Sequence, residues 1–153
     1  MLTKLLANRL LRIADEREPD EIIGPRETPY MLRWWLRRKP GGCNVYLHKF
    51  MRSDDERALH DHPWTNASIL LRGSYIEHLK TGPVVRCPGA IYFRRAHKAH
   101  RVQLFPYVDV GAHVVANTEM PVWTLFLTGP KVREWGFFVP ARLDSLEGIH
   151  RRC

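Results

Sequence analysis

The sequence lacks the features that mark several common protein classes. No apolar run approaches the roughly 18–20 residues that a membrane-spanning helix needs. The charged N-terminus also has no uninterrupted apolar segment followed by a small-residue cleavage site, so a secretory signal is not expected. Cysteine is scarce: Cys43, Cys87 and Cys153 contain no CxxC pair, and any disulfide scheme leaves one of them over. This usage fits reduced thiols and predicts a cytoplasmic protein.

Motifs of three enzyme and binding classes are absent as well. There is no glycine-rich phosphate loop, no Ser-His-Asp order and no zinc-ribbon spacing, so kinase, serine hydrolase and zinc-finger readings have no support. Acidic residues are outnumbered by basic ones, 16 against 24, which gives a net charge of +8. Eighteen of the basic residues are arginine, a side chain suited to binding carboxylates and phosphates. A small anionic substrate is therefore expected. Nucleic acid is an open alternative that is not favoured, because the chain has no low-complexity basic tail.

The length and hydrophobic periodicity predict one domain over all 153 residues. Apolar residues at spacings near i, i+3 and i+4 predict an amphipathic helix within 1–18, which closes before Pro19. Gly24, Pro25 and Pro29 then indicate a linker. Residues 30–139 carry a period-2 pattern with frequent glycine and proline turns, whereas the tail, 141–153, shows no clear pattern.

Many short strands separated by turns, after a single helix, predict an all-β fold with antiparallel strands in a sandwich or barrel. The predicted strands are 30–37, 43–51, 58–62, 66–72, 74–80, 84–86, 89–93, 99–105, 111–117, 121–128 and 132–139.

Among the eight histidines, the pair in His60-Asp61-His62 is the most informative. In a strand, residues i and i+2 point to the same face roughly 6–7 Å apart, so two imidazoles can converge on one metal ion. Imidazole suits iron, nickel, copper and zinc. The spacing alone is equally compatible with two exposed polar residues at a turn.

The wider pattern resembles the cupin superfamily, whose first motif begins with HxH and whose second has a Pro-Gly turn, a short strand, a loop and a histidine. Here HDHPWTNASILLRG runs from the histidine pair to Gly73, and PGAIYFRRAHKAHRV follows. The two motifs cover roughly 60–102. The segment PVWTLFLTGPKVREWGFF is also similar to that of small bacterial and phage cupin proteins of undefined function. The resemblance implies an antiparallel jelly-roll barrel over 30–139.

The resemblance also implies a set of metal ligands. Carried over by position, they are His60, His62 and His100, with His97 as an alternative to His100 because it lies in the variable loop. The usual fourth cupin ligand is a glutamate. The shorter motif spacing places Asn66 there and the longer one Ala67, and neither can supply a negative charge.

A site of three neutral histidines is similar to that of the thiol dioxygenases, which are cupins that use ferrous iron. The resemblance implies Fe(II), with zinc, nickel and manganese as alternatives. It also implies a dioxygenase-type oxidoreductase acting on a small anionic or thiol substrate. His48, Tyr46 and Asn66 are the residues expected to orient the substrate and move protons.

Two other functions remain open at this point. One is a non-redox metal cupin that works as an isomerase, epimerase or hydrolase. The other is a basic cupin-fold binding protein for a nucleotide or nucleic acid, and a homodimer is an open alternative to a monomer. Five arginines are candidates for steering an anion into the barrel: Arg33, Arg37, Arg72, Arg94 and Arg95.

Overall fold

The computed structural model describes residues 2–54, 58–107 and 118–138. One helix, α1 (Leu2–Glu16), precedes all the described strands. The strands are β1 (Glu21–Ile23), β2 (Met31–Arg37), β3 (Asn44–Phe50), β4 (Leu59–His60), β5 (Asn66–Arg72), β6 (Tyr75–Leu79), β7 (Gly82–Arg86), β8 (Ile91–Arg94), β9 (His100–Leu104), β10 (Val122–Thr128) and β11 (Phe137–Phe138). The helix in this part of the chain is neither long enough nor apolar enough to cross a membrane.

These strands form two antiparallel sheets. The six-stranded sheet has the order β1-β2-β3-β10-β5-β8, and the five-stranded sheet has the order β11-β4-β9-β6-β7. The all-β prediction is thus confirmed, with one refinement: within the described ranges the strands make two facing sheets, not one continuous closed sheet. Sequence neighbours such as β4 and β5 lie in different sheets, as a jelly roll requires.

Most of the predicted strands are present, with bounds that differ from the prediction by at most two residues at either end. Three differ more. β1 lies between the predicted helix and linker, where no strand was expected, and pairs with β2. The predicted strand 58–62 is strand only at Leu59–His60, and 132–139 is strand only at Phe137–Phe138 within the described residues. The predicted strand 111–117 and the tail 141–153 lie outside the described residues.

The helix lies against β5. Ala7 is buried and Leu10 and Leu11 are half-buried, while Arg9 and Arg12 are exposed, as is Leu5 near the start of the helix. The amphipathic prediction is therefore confirmed, because the 3.6-residue period separates the two faces.

An apolar core closes one end of the space between the sheets. It contains Leu70 and Val122 from the six-stranded sheet, and Tyr75, Val102 and Leu104 from the five-stranded one. The remaining space is a cavity of about 510 Å³, lined by side chains of both sheets. The core thus packs the two sheets against each other, and the cavity beside it is the space open to a ligand.

Candidate metal centre

Three histidines meet at the wall of this cavity. His60 ends β4 and His100 begins β9, and the two residues are direct partners in the antiparallel register. His62 follows β4 in irregular backbone, where its N–H donates to the carbonyl of Ala96 over 3.2 Å. The predicted convergence of His60 and His62 is therefore observed, although a strand does not continue through both of them.

The imidazoles are close enough to share one ion. Their available ligand atoms lie within 4.8 Å of one another, and Nε2 of His62 lies 2.8 Å from Nε2 of His100. Ring centroids are 5.0 Å apart for His60 and His100 and 5.1 Å apart for His62 and His100. His97, the alternative ligand, is exposed in the turn between β8 and β9 and is not part of the cluster.

The protonation of these rings fits a divalent cation. Burial, followed by the neighbouring imidazoles of His100 and His60, lowers the pKa of His62 to about 2. Burial likewise lowers the pKa of His100. A neutral imidazole offers a nitrogen lone pair, and three such nitrogens suit zinc, iron, nickel or copper. The donor set thus fits a divalent metal ion, without deciding which one.

A buried carboxylate lies behind His100. Glu77 on β6 is fully buried, and its Oε1 lies 3.0 Å from Nδ1 of His100. Arg94 pairs with the same oxygen, and Nε of Arg86 donates to Oε2 over 2.8 Å. Burial by itself would raise the pKa of Glu77, but the contact with His100 and the charge of Arg94 lower it to about 2. Glu77 is therefore ionised.

A second acid lies near His60. Oδ2 of Asp54 is 3.8 Å from Nδ1 of His60 and accepts the backbone N–H of Val102 over 2.6 Å. The hydroxyl of Tyr30 donates to the other oxygen of Asp54. Burial and the adjacent Asp54 carboxylate raise the pKa of Tyr30, so its hydroxyl stays protonated. Both residues line the cavity.

Of the three residues expected to orient the substrate, only His48 lines the cavity. Its Nε2 accepts a hydrogen bond from Nε of Arg33 over 3.0 Å, and burial lowers its pKa, so the ring is neutral. Tyr46 stacks on His48 with a centroid distance of 5.7 Å and is not among the lining residues. Asn66 is buried outside the cavity lining, and neither atom of its amide is hydrogen-bonded.

Two of the five candidate arginines reach the cavity. Arg33 and Arg94 line it, whereas Arg37, Arg72 and Arg95 are exposed. Arg33 also pairs with Glu21 on β1, with Nη1 to Oε2 at 2.9 Å. Both inward arginines therefore already have an acidic partner. His113 belongs to the predicted strand 111–117 and lies outside the described residues.

Two tryptophans cover the histidines on the open side. The ring of Trp135 lies 5.0 Å from His62 and 5.9 Å from Trp64, measured between centroids. Buried Asp61 accepts the N–H of Gly136 over 2.8 Å and pairs with Arg133 at 2.7 Å. These contacts hold the segment before β11 beside the histidine cluster.

Six of the residues around the site were given no role there by the sequence: Tyr30, Asp54, Asp61, Trp64, Glu77 and Trp135. Two of them carried a usable signal, because Asp61 lies between the two motif histidines and Glu77 follows Gly73 in a run similar to that of the thiol dioxygenases. The tryptophans were assigned to packing, and nothing local distinguishes Asp54 from other acids. Their places depend on which strands are neighbours.

Comparison with known proteins supports the fold. No family model and no curated protein matches the chain. A cupin superfamily protein from Desulfitobacterium hafniense superposes with a TM-score of 0.50 at 15% identity, covering 71% of this chain and 84% of that one.

Two further solved structures agree. A protein with a double-stranded β-helix domain from Klebsiella pneumoniae gives a TM-score of 0.51 at 14% identity, with 78% and 93% of the two chains covered. KdgF from a Halomonas species gives 0.53 at 16%, with 76% and 91% covered. The resemblance of the motifs is thus confirmed as a likeness of fold: the chain has the double-stranded β-helix fold of cupin superfamily proteins.

Proposed function

We propose that this protein is a metal-dependent oxidoreductase of the dioxygenase type, with Fe(II) held by His60, His62 and His100. The observation that carries the proposal is the composition of the cluster. Among the described residues, the group that can share an ion consists of three imidazoles, and no carboxylate belongs to it.

The absence of a carboxylate from this group affects which substrates would bind. Three neutral ligands leave the charge of a divalent ion uncompensated, so an anionic, chelating substrate is attracted more strongly than at a site with a glutamate ligand. A ferrous ion bound there would supply a Lewis acid for the substrate and a site for activating dioxygen. A small carboxylate or thiolate is the substrate class that we propose.

The chain's own residues would bind and orient this substrate. A guanidinium carries five N–H donors, so Arg33 can keep its bonds to His48 and Glu21 and still bind a carboxylate. Because neutral His48 accepts at Nε2, its proton is on Nδ1. This Nδ1–H would donate a hydrogen bond that orients the substrate. Trp64, Phe126 and Trp135 supply an apolar part of the cavity wall beside the reacting groups.

A non-redox reaction is the second candidate, and one observation favours it. The Tyr30–Asp54 pair lines the cavity beside His60 and joins a neutral phenol to a carboxylate. Such a pair can remove and return a proton, as isomerases and epimerases require. Zinc, nickel or manganese would then serve as a Lewis acid. A nucleotide- or nucleic-acid-binding protein is a third hypothesis, supported by the net charge of +8 alone.

Metal content and oxygen uptake test the first candidate against the second. The protein is loaded anaerobically with Fe(II) or Zn(II) and assayed with a panel of small thiols and carboxylates in an oxygen electrode. We expect substrate-dependent oxygen uptake with Fe(II) only, lost in His100→Ala and kept in His97→Ala. The latter is a matched control, because His97 is exposed. Turnover with Zn(II) and no oxygen uptake would instead establish the non-redox candidate.

A further inference from the structure

We propose that Glu77 is a positioning residue of the metal centre: its carboxylate binds the Nδ1–H of His100 and leaves Nε2 of that ring for the metal ion. The inference rests on the metal site proposed above but not on the reaction catalysed there. Glu77 itself is not proposed as a ligand, since it lies on the other side of the ring.

The geometry of the His100 ring carries the proposal. Nε2 faces the cluster, 2.8 Å from Nε2 of His62, and Nδ1 faces Glu77, 3.0 Å from Oε1. Nδ1 and Oε1 are at hydrogen-bond distance, but the angle between them does not meet the criterion for a hydrogen bond. A small rotation of the ring, such as ligation at Nε2 can impose, would complete it.

The register of the strands explains why these two residues meet. β6 and β9 are antiparallel neighbours, and Glu77 lies opposite Val102. His100 is two residues from Val102 and therefore on the same face of the sheet, as a diagonal neighbour of Glu77. Both side chains point into the space between the sheets, where Glu77 has no exposed surface.

Two arginines keep the carboxylate in place. Arg86 reaches Glu77 from β7 in the same sheet, and Arg94 reaches it from β8 in the facing sheet. The carboxylate is thus held from two directions and cannot turn away from His100. Asp54 differs in this respect: it lies 3.8 Å from His60, beyond hydrogen-bond distance. Glu77, in contrast, lies at hydrogen-bond distance from the ring of His100.

A carboxylate in this position has two effects on a ligand histidine. It selects the tautomer with the proton on Nδ1, and it makes Nε2 a better electron donor to the metal. Loss of such a partner typically lowers metal affinity by about 10- to 100-fold. The Glu77 carboxylate also supplies a negative charge that Asn66 cannot supply. Because this charge lies behind His100 and not on the metal, the coordination positions of the metal stay free for substrate.

The test compares Glu77→Gln with Glu119→Gln in the full chain. Glu119 is a matched control, because its carboxylate accepts the backbone N–H and hydroxyl of Ser53 and does not line the cavity. Co(II) and Zn(II) affinities are measured by competition with a chromophoric chelator, and the visible spectrum of the Co(II) form is recorded. We expect E77Q to bind about 10- to 100-fold more weakly with shifted Co(II) bands, and E119Q to match wild type.

A measurement on the unmodified protein covers the case in which E77Q does not fold. In the Zn(II)-loaded wild type, ¹⁵N-histidine NMR is expected to show His100 bound through Nε2 with a protonated Nδ1. Ligation through Nδ1 would overturn the inference. If wild type binds metal and folded E77Q binds it equally well, the inference alone is overturned. If wild type binds no metal, the proposed metal site is overturned with it.

Discussion

Replacing His62 with glutamine should reduce the acid sensitivity of the metal-free protein. The folded-state pKa of His62 is about 2, against 6.5 for an unperturbed histidine. Below pH 6.5 the unfolded chain therefore takes up a proton at this residue that the folded chain does not, so stability falls as the pH falls. Each pH unit costs 1.36 kcal/mol per proton, which gives a loss of about 2–3 kcal/mol between pH 6.5 and about pH 4.5. This is an upper figure, because His62 is only half-buried.

The measurement is the free energy of unfolding in urea, followed by tryptophan fluorescence between about pH 7.5 and 4.5 with a chelator present. Wild type is expected to lose stability more steeply than H62Q over this range. The stability of H62Q should still fall somewhat with falling pH, because the pKa values of His48 and His100 are also lowered. Glu77 contributes at lower pH, because its pKa of about 2 lies below the usual 4.5 and its stabilisation is lost as the pH falls from 4.5 towards 2.

His97→Gln is the matched control, since His97 is exposed and outside the cluster. It should leave the wild-type pH dependence unchanged. Equal slopes for wild type and H62Q would refute the reasoning, because His62 would then titrate alike in the folded and unfolded states.

Three further outcomes are expected. Zn(II) at 100 times its dissociation constant should stabilise wild type by about 2.7 kcal/mol in urea unfolding, and His100→Ala should remove most of that gain. A paramagnetic ion such as Ni(II) should quench tryptophan fluorescence, and less so in Trp135→Phe, because that ring lies 5.0 Å from His62. Gly73→Ala should lower the free energy of unfolding more than Gly89→Ala. Both glycines have a positive φ, but a Cβ at Gly73 would lie 2.7 Å from the carbonyl oxygen of Pro121, whereas a Cβ at Gly89 would meet nothing within 4 Å. The conformational part is about 1–3 kcal/mol, and equal losses in the two variants would contradict the steric account.

The sequence predicted the motif histidines for a local reason. His60 and His62 are two residues apart, and His100 follows the Pro-Gly turn and short strand of the second motif, so each position can be recognised from its own segment. The residues around them could not be recognised in this way. Tyr46 and Asn66 were expected to contact the substrate because of their neighbours in sequence, but the structure places both outside the cavity lining. Alternation along a strand predicts the sheet face on which a side chain lies, but it does not predict whether the cavity reaches that side chain.

The sequence by itself determined the antiparallel strands, the amphipathic helix and the three histidines, because period-2 and 3.6-residue patterns and short motifs are local properties of the chain. Only the tertiary structure decided that Glu77 lies behind His100, that Arg94 crosses from the facing sheet to it, and that Trp135 covers His62. These contacts join residues far apart in the sequence, and the one between Arg94 and Glu77 joins the two sheets. They depend on strand order and on how the sheets pack, which no single segment of the sequence contains.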